Sequence, residues 1–428
     1  MEKLYHYLWK NKIKGNFLRD IDGLEIEIID PGIHNLDAGP DFFNAKLKIE
    51  GVEWIGNVEI HVKASDWYRH GHEEDPAYDN VILHVVGISD KRITREDGTL
   101  LPQVEFTFPE SFYRILADLS TQTDNVRCAS YLSALPKLTV TDWLETLSIE
   151  RLQQKSTRIL EIRKQTGGDW EQTCFILLAR GLGFGLNGDP FEQLAKSLPL
   201  KLLHHHSDNL MQLEALLFGQ AAMLDPSLYM FDEYFQLLCR EYYFLSKKYS
   251  LRPIHPGQWK YSRTRPHNFP HRRIALLAGT AYGGFSLFTR LLESVRDLDR
   301  LLDVFDLHAE GYWETHYSFD GCSGMVPKEL SASSKSLLAI NVAIPLLYAY
   351  AAITGNFELG EKAAGMMYEL KPENNSYVRQ WKTLGIGAKD ASASQALIHL
   401  RKEYCDKGKC MFCRFGNKLL RKAGAEVS

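Results

Sequence analysis

A chain of 428 residues, 45% hydrophobic and 24% charged, has the composition of a folded globular protein and length enough for two or more domains with sizeable cores. A formal net charge of -4 excludes a uniformly basic nucleic-acid binder, so any polyanion surface must be local. No apolar run approaches the roughly 18–20 residues that span a bilayer, the opening MEKLYHYLWKNKIKGN lacks a leader's apolar core, and seven cysteines gathered only near the end predict reduced thiols in a cytoplasmic protein without membrane attachment.

In chain order, EKLYHYLWK places apolar residues at 4, 5, 8 and 9 and predicts a short helix over 4–10. LEIEIID alternates with period 2 and predicts a strand over 24–30. FFNAKLKI and VEWIGNVEIHVK flank Glu50-Gly51 and predict a hairpin of strands 42–49 and 52–63. NVILHVVGI is almost continuously apolar, as a central strand covered on both faces would be. A further hairpin is expected around Asp97-Gly98. From Pro109 the period turns helical, with helices expected over 170–182, 189–203, 209–223, 229–248, 272–292, 336–354 and 356–370. No repeat of 20–50 residues is visible. The expected organisation is an α/β domain with a mixed sheet over 1–108, an α-helical domain over 109–395, and a cysteine-bearing tail over 396–428.

The chemistry concentrates in the first hairpin. Side chains alternate faces along a strand, so Asn57, Glu59, His61 and Lys63 share one face and Val58, Ile60 and Val62 the other. With the turn at Glu50-Gly51, opposed positions sum to 100 or 101, which sets Asp41 against Glu59. Two facing carboxylates repel unless a cation lies between them, and such pairs hold Mg²⁺ or Mn²⁺. Lys63 or His61 would then orient or deprotonate the attacking water. The alternative is a solvated face of cross-strand ion pairs.

Pro40-Asp41, followed on the next strand by Glu59-x-His61 and then Lys63, resembles the core of the PD-(D/E)xK nucleases. The order of helix 4–10 and strands 24–30, 42–49, 52–63 and 81–87 is similar to that core too. The resemblance implies a restriction-endonuclease-like fold and metal-dependent phosphodiester hydrolysis, with Asp41 and Glu59 on the metal and His61 and Lys63 beside it. Position 61 is histidine where the pattern has lysine, and SDWYRHGHEEDPAYD replaces the helix expected after the third strand. The whole chain also resembles a bacterial family catalogued only as a domain of unknown function, through GPDF, GNVEIH, SDW, HGH, AYDNVILHVV, RPHNFPHRRIALLA and the terminal cysteines.

Three further groups stand out. His70 and His72, with Asp75, suit Zn²⁺ or Fe²⁺ and offer a second reading, a His/Asp metal hydrolase or oxygenase; as a polar loop they would be surface histidines. The basic segment 251–273 interleaves aromatics with cations, and Arg263, Arg265, Arg272 and Arg273 are candidates for contact with nucleic acid, DNA above all. That contact could exist without catalysis, and the same arginines could instead pair acids within the protein. Cys405-x4-Cys410-x2-Cys413 contains a metal-knuckle half and needs a fourth ligand from His399, Cys322 or Cys128. Zn²⁺ suits it, and an iron–sulfur cluster is implied by the loosely similar C-terminal triplets of some PD-(D/E)xK nucleases. The glycines of 181–191 follow a helix and lack the lysine of a phosphate-binding loop, so they read as a helix end.

Overall fold

The computed structural model describes residues 2–425 except 36, 96, 122–125, 230–231, 263, 265–267, 320, 323, 325 and 327–328. The chain divides into two compact units. One joins residues 1–143 with 383–385 and 399–428; the other joins 144–382 with 386–398. The division therefore falls well beyond residue 108, and the cysteine-bearing tail is part of the first unit.

The first unit is built on helix α1 (Glu2–Lys10) and strands β1 (Phe17–Arg19), β2 (Glu25–Asp30), β3 (Ile33–His34), β4 (Phe42–Ile49), β5 (Val52–Lys63), β6 (Val81–Ile88) and β7 (Gln103–Glu105). They form one seven-stranded mixed sheet in the order β1-β2-β4-β5-β6-β7, with β3 paired to β4. Pairings up to β4–β5 are antiparallel; β5–β6 and β6–β7 are parallel. Glu50 (φ 49°) and Gly51 (φ 81°) both take positive φ, as a two-residue hairpin turn of matching twist requires. That turn sets the register: Ile49 faces Val52, and beyond a bulge at Asn44 (φ 55°) Phe42 faces Val58.

Strand β6 is buried along its length to Gly87, in keeping with its apolar run. Helix α1 packs Tyr5, Leu8 and Trp9 inward, each such side chain contributing about 1.5–3 kcal/mol of burial. The approach is close: a Cβ on Gly87 would lie 2.2 Å from the Tyr5 hydroxyl, so only glycine fits there. The turn at Asp97-Gly98 forms, with Arg95 N donating to Thr99 O at 2.8 Å. The strand after it, β7, adds to β6 in parallel rather than closing a regular hairpin. The C-terminal helix Arg414–Ala425 returns to α1: Asn417 Nδ2 donates to the Tyr7 hydroxyl at 2.9 Å, and the Arg421 guanidinium donates to Asn11 O at 2.5 Å.

The second unit is helical among its described residues and has one large apolar core. Two expected helices are each broken in two. Pro199 separates Gly188–Ser197 from Leu200–His204, and Gly283 and Gly284, at φ 78° and 101°, separate Pro270–Ala281 from Leu287–Ser294. The expectation that no segment reaches bilayer length needs correction. The run Ala332–Thr354, 23 residues of mean hydropathy 1.9, is long and apolar enough, and 61% of its apolar window is buried within the protein. Leu338, Ile340, Ile344 and Leu347 from it belong to the unit's core.

Candidate functional site

The register brings Asp41 and Glu59 together, as their positions required. The contact is reciprocal. Asp41 N–H donates to Glu59 Oε2 at 3.1 Å, and Ile60 N–H donates to Asp41 Oδ2 at 2.9 Å. His6, on α1, places Nε2 3.2 Å from Asp41 Oδ2. Burial pushes the His6 pKa down, but the hydrogen bond and charge of Asp41 outweigh it and the net shift is upward.

Glu59 and His61 are buried on the same face of β5, at 4% and 1% exposure. His70 and His72 reach them because of one turn of helix, α2 (Asp66–Arg69). Its end is a Schellman motif: His72 N–H donates to Trp67 O at 3.1 Å and Gly71 N–H to Tyr68 O at 3.2 Å, with Gly71 in the left-handed region at φ 72°. The glycine between the two histidines thus reverses the chain and sends both rings back towards β5. His72 is held by stacking on Tyr78 at 3.8 Å and by the edge of Trp67 at 5.4 Å.

The ligand atoms converge. His61 Nε2 lies 3.2 Å from His70 Nδ1 and 3.5 Å from Glu59 Oε1, and His72 Nε2 lies 3.4 Å from the same oxygen. The three histidines offer ligand atoms all within 4.8 Å of one another. Donors around an ion at metal–nitrogen distances near 2.1 Å stand about 3.0–3.4 Å apart in octahedral or tetrahedral arrangement. His61 is buried, His72 half-buried and His70 exposed, so the cluster opens to solvent on the His70 side.

A hydrogen-bond chain fixes which nitrogen of His61 is free. Gln103 directs its amide NH₂ to Ser89 Oγ at 2.6 Å and to Lys91 O at 3.2 Å. A carbonyl only accepts, so Gln103 Oε1 faces His84 Nδ1, at 3.4 Å, and His84 Nδ1 must carry its proton. His84 Nε2 is then the acceptor for His61 Nδ1–H, at 2.9 Å, and His61 Nε2 is left with a lone pair aimed at His70, His72 and Glu59. Burial, and then the neighbouring imidazoles, push the His61 pKa down to about 2; burial is the chief cause that lowers His84 to about 4. Both rings are neutral at neutral pH, as metal ligation requires. Glu59 is pushed up to about 7, first by burial and then by Asp41, against the opposing hydrogen bond of His72.

Other expected residues lie elsewhere. Lys63, the last residue of β5, is exposed, and among the described residues its ammonium makes no hydrogen bond or ion pair; its charge acts on Asp90. Asp75 caps the turn Pro76–Tyr78 by accepting from Ala77 N–H at 2.9 Å. Arg272 and Arg273 are each 3% exposed in the helix Pro270–Ala281. Arg272 donates to Trp313 O at 3.0 Å, and Arg273 stacks on Phe184 at 4.5 Å, with burial lowering its pKa to about 10. A phosphate contact needs an accessible guanidinium, so these two support the fold instead. Arg263 and Arg265 lie outside the described residues. His84, His6 and Gln103 are the residues whose role the sequence did not give; a histidine inside the apolar run of β6 was its one visible sign.

Fold and site define an α/β unit with a mixed sheet, carrying a histidine–carboxylate cluster of metal-ligating chemistry, in a chain whose remainder is mostly helical. The chain belongs to a family of proteins of unknown function, DUF2851, which matches residues 2–376. No curated protein and no solved structure matches it.

Proposed function

We propose that the first unit is a metal-dependent phosphodiesterase acting on nucleic acid, with its ion held by His61, His70 and His72 and with Glu59 as fourth donor. The observation that carries this reading is the convergence of Glu59 Oε1, His61 Nε2, His70 Nδ1 and His72 Nε2 at neighbour distances of 3.2–3.5 Å. Three imidazoles and a carboxylate favour Zn²⁺, Fe²⁺ or Mn²⁺ over Mg²⁺, which prefers oxygen ligands and retained waters. An ion held there would make its bound water acidic enough to ionise near neutral pH, and His6, whose basicity Asp41 raises, would be the candidate acceptor of that proton.

The substrate class is supported by the Asp41–Glu59 pair across β4 and β5 and by a sheet that runs from antiparallel into parallel pairing, both in keeping with a restriction-endonuclease-like core. In that core His61 occupies the position of the usual lysine. A second reading, a hard Mg²⁺ or Mn²⁺ ion between Asp41 and Glu59, is favoured by their reciprocal contact.

Elemental analysis of the full chain, with hydrolysis of bis(p-nitrophenyl) phosphate, DNA and RNA, tests both. Bound Zn, Fe or Mn that is lost in His70→Ala/His72→Ala together with hydrolysis is the expected result. Loss of metal in Asp41→Asn with retention in the histidine variant selects the second reading. A metal-loaded chain that hydrolyses none of the three substrates refutes the phosphodiesterase.

A further inference from the structure

The helix Glu233–Tyr249 of the second unit carries more aromatic side chains than its packing uses. Phe235, Leu238, Cys239 and Leu245 are buried in the unit's core. Tyr242 lies against the helix Leu210–Gln220, so close that a Cβ on Gly219 would fall 2.1 Å from its ring. The next two residues have no such place. Tyr243 is 69% and Phe244 60% exposed, and Leu237, two turns before Phe244, is exposed as well. Large apolar side chains gathered on one outer stripe mark a surface that another molecule covers.

Cations bracket the two rings. On a helix, residues three and four apart are neighbours, with about 5–6 Å between Cβ atoms. Arg240 is therefore beside both Tyr243 and Phe244 from one end, and Lys247 is beside both from the other. Lys247 Nζ stands 5.8 Å from the centre of the Tyr243 ring. Lys248 is the neighbour of Phe244 four residues on, and Arg252 follows just past the helix; all four cations are exposed. Arg240 is steadied by its Nε–H, which donates to Gln236 O at 3.3 Å. The one acid between 240 and 252, Glu241, is half-buried and accepts from Gln212 Nε2 at 2.8 Å. Lysines in a last turn also suit the helix dipole. That accounts for Lys247 and Lys248, but not for two open rings between Lys247 and Arg240.

The order of cation, paired rings and cation selects the partner. A second copy would bring the same cations to the same face and be repelled. A lipid surface calls for a broad apolar face, and the apolar side of this helix is turned to the core. A nucleic-acid strand offers phosphates to Arg240, Lys247 and Lys248, and flat bases to Tyr243 and Phe244. The bases of a duplex are already stacked on one another, so only an unpaired strand can use the rings. We propose that this exposed helix face binds single-stranded nucleic acid, by stacking on Tyr243 and Phe244 and by phosphate contacts to Arg240, Lys247 and Lys248. It rests on the phosphodiesterase reading only in taking that strand for the enzyme's substrate; the binding stands on the helix alone.

The experiment is fluorescence anisotropy of the full chain, kept metal-free with a chelator so that no strand is cut. The probes are fluorescein-labelled oligothymidylate, oligouridylate and a duplex of equal length, with vesicles of phosphatidylcholine and phosphatidylglycerol as a separate arm. Wild type is expected to bind at least one of the two single strands more tightly than the duplex. Tyr243→Ala/Phe244→Ala should weaken single-strand binding about tenfold or more. Lys247→Gln/Lys248→Gln should lower the slope of log affinity against log salt by about 1.4, at roughly 0.7 for each phosphate contact on a single strand. All four side chains are exposed, and an unchanged melting temperature verifies the fold of each variant. No binding of either single strand at low salt, equal binding of the duplex, single-strand affinity unchanged in the aromatic variant, or vesicle binding in place of strand binding overturns the proposal. Binding without metal does not report on hydrolysis of bis(p-nitrophenyl) phosphate, so either proposal can fail while the other stands.

Discussion

Gln103 never touches the proposed ion, yet it sets the protonation of the ring that does. Replacing it with methionine keeps the volume and removes three hydrogen bonds at once: to Ser89 Oγ, to Lys91 O and from His84 Nδ1. His84 can then take either tautomer. In the one with a proton on Nε2, it donates to His61 Nδ1 and shifts the His61 proton to Nε2, the atom aimed at the cluster. Loss of such an orienting partner lowers metal affinity about 10–100-fold, or roughly 1.4–2.8 kcal/mol. The buried His84 ring loses its partner as well, at about 1–3 kcal/mol of stability. Zinc titration calorimetry of wild type and Gln103→Met measures the first effect. Nitrogen-15 spectra of the imidazoles in metal-free protein read the tautomers directly. A proton on His84 Nε2 in wild type, or unchanged zinc affinity in a folded Gln103→Met, refutes the chain of reasoning from the Lys91 carbonyl.

Two other outcomes follow from the geometry. Gly71→Ala places a side chain in the left-handed region, at about 1–2 kcal/mol, and should weaken zinc binding more than it lowers the melting temperature, both measurable on one preparation. Glu214, 1% exposed, accepts from Tyr234 OH at 2.5 Å and Trp313 Nε1–H at 3.0 Å, and burial outweighs both in raising its pKa to about 7. A carboxyl raised in the folded state stabilises it fully below its ordinary pKa and loses that contribution as pH rises through about 7. The loss is about 3 kcal/mol at roughly 1.4 kcal/mol per unit. Thermal unfolding between pH 5 and 8 should therefore show a fall in stability that Glu214→Gln removes; a fall of equal size in the variant would contradict the assignment.

The readable parts of the sequence were those fixed by local chemistry. Glu50-Gly51 encodes a turn, the turn sets a register, and the register places Asp41 against Glu59. His70-Gly71-His72 was visible as a pair of ligands, but not that Gly71 would end a helix turn and fold the pair back onto His61. The relay to His84 depends on the parallel register that sets Glu59 against His84. No turn connects β5 to β6, so no local signal encodes that pairing. Lys63 keeps the alternation to the last residue of β5 and is exposed there. Arg272 and Arg273 carry charge, which says nothing about which side of a helix meets the core.

The first unit is made of the two ends of the chain, with the second unit encoded between them. Its last helix reaches α1 through the Asn417–Tyr7 bond and the Arg421–Asn11 bond, and these cannot form until more than four hundred residues have been synthesised. On the ribosome, the interrupted unit must wait while an uninterrupted stretch of more than two hundred residues emerges and becomes free to fold. Cutting the chain near residue 400 would not trim a tail; it would leave the sheet-bearing half as an unfinished folding intermediate with part of its apolar surface uncovered.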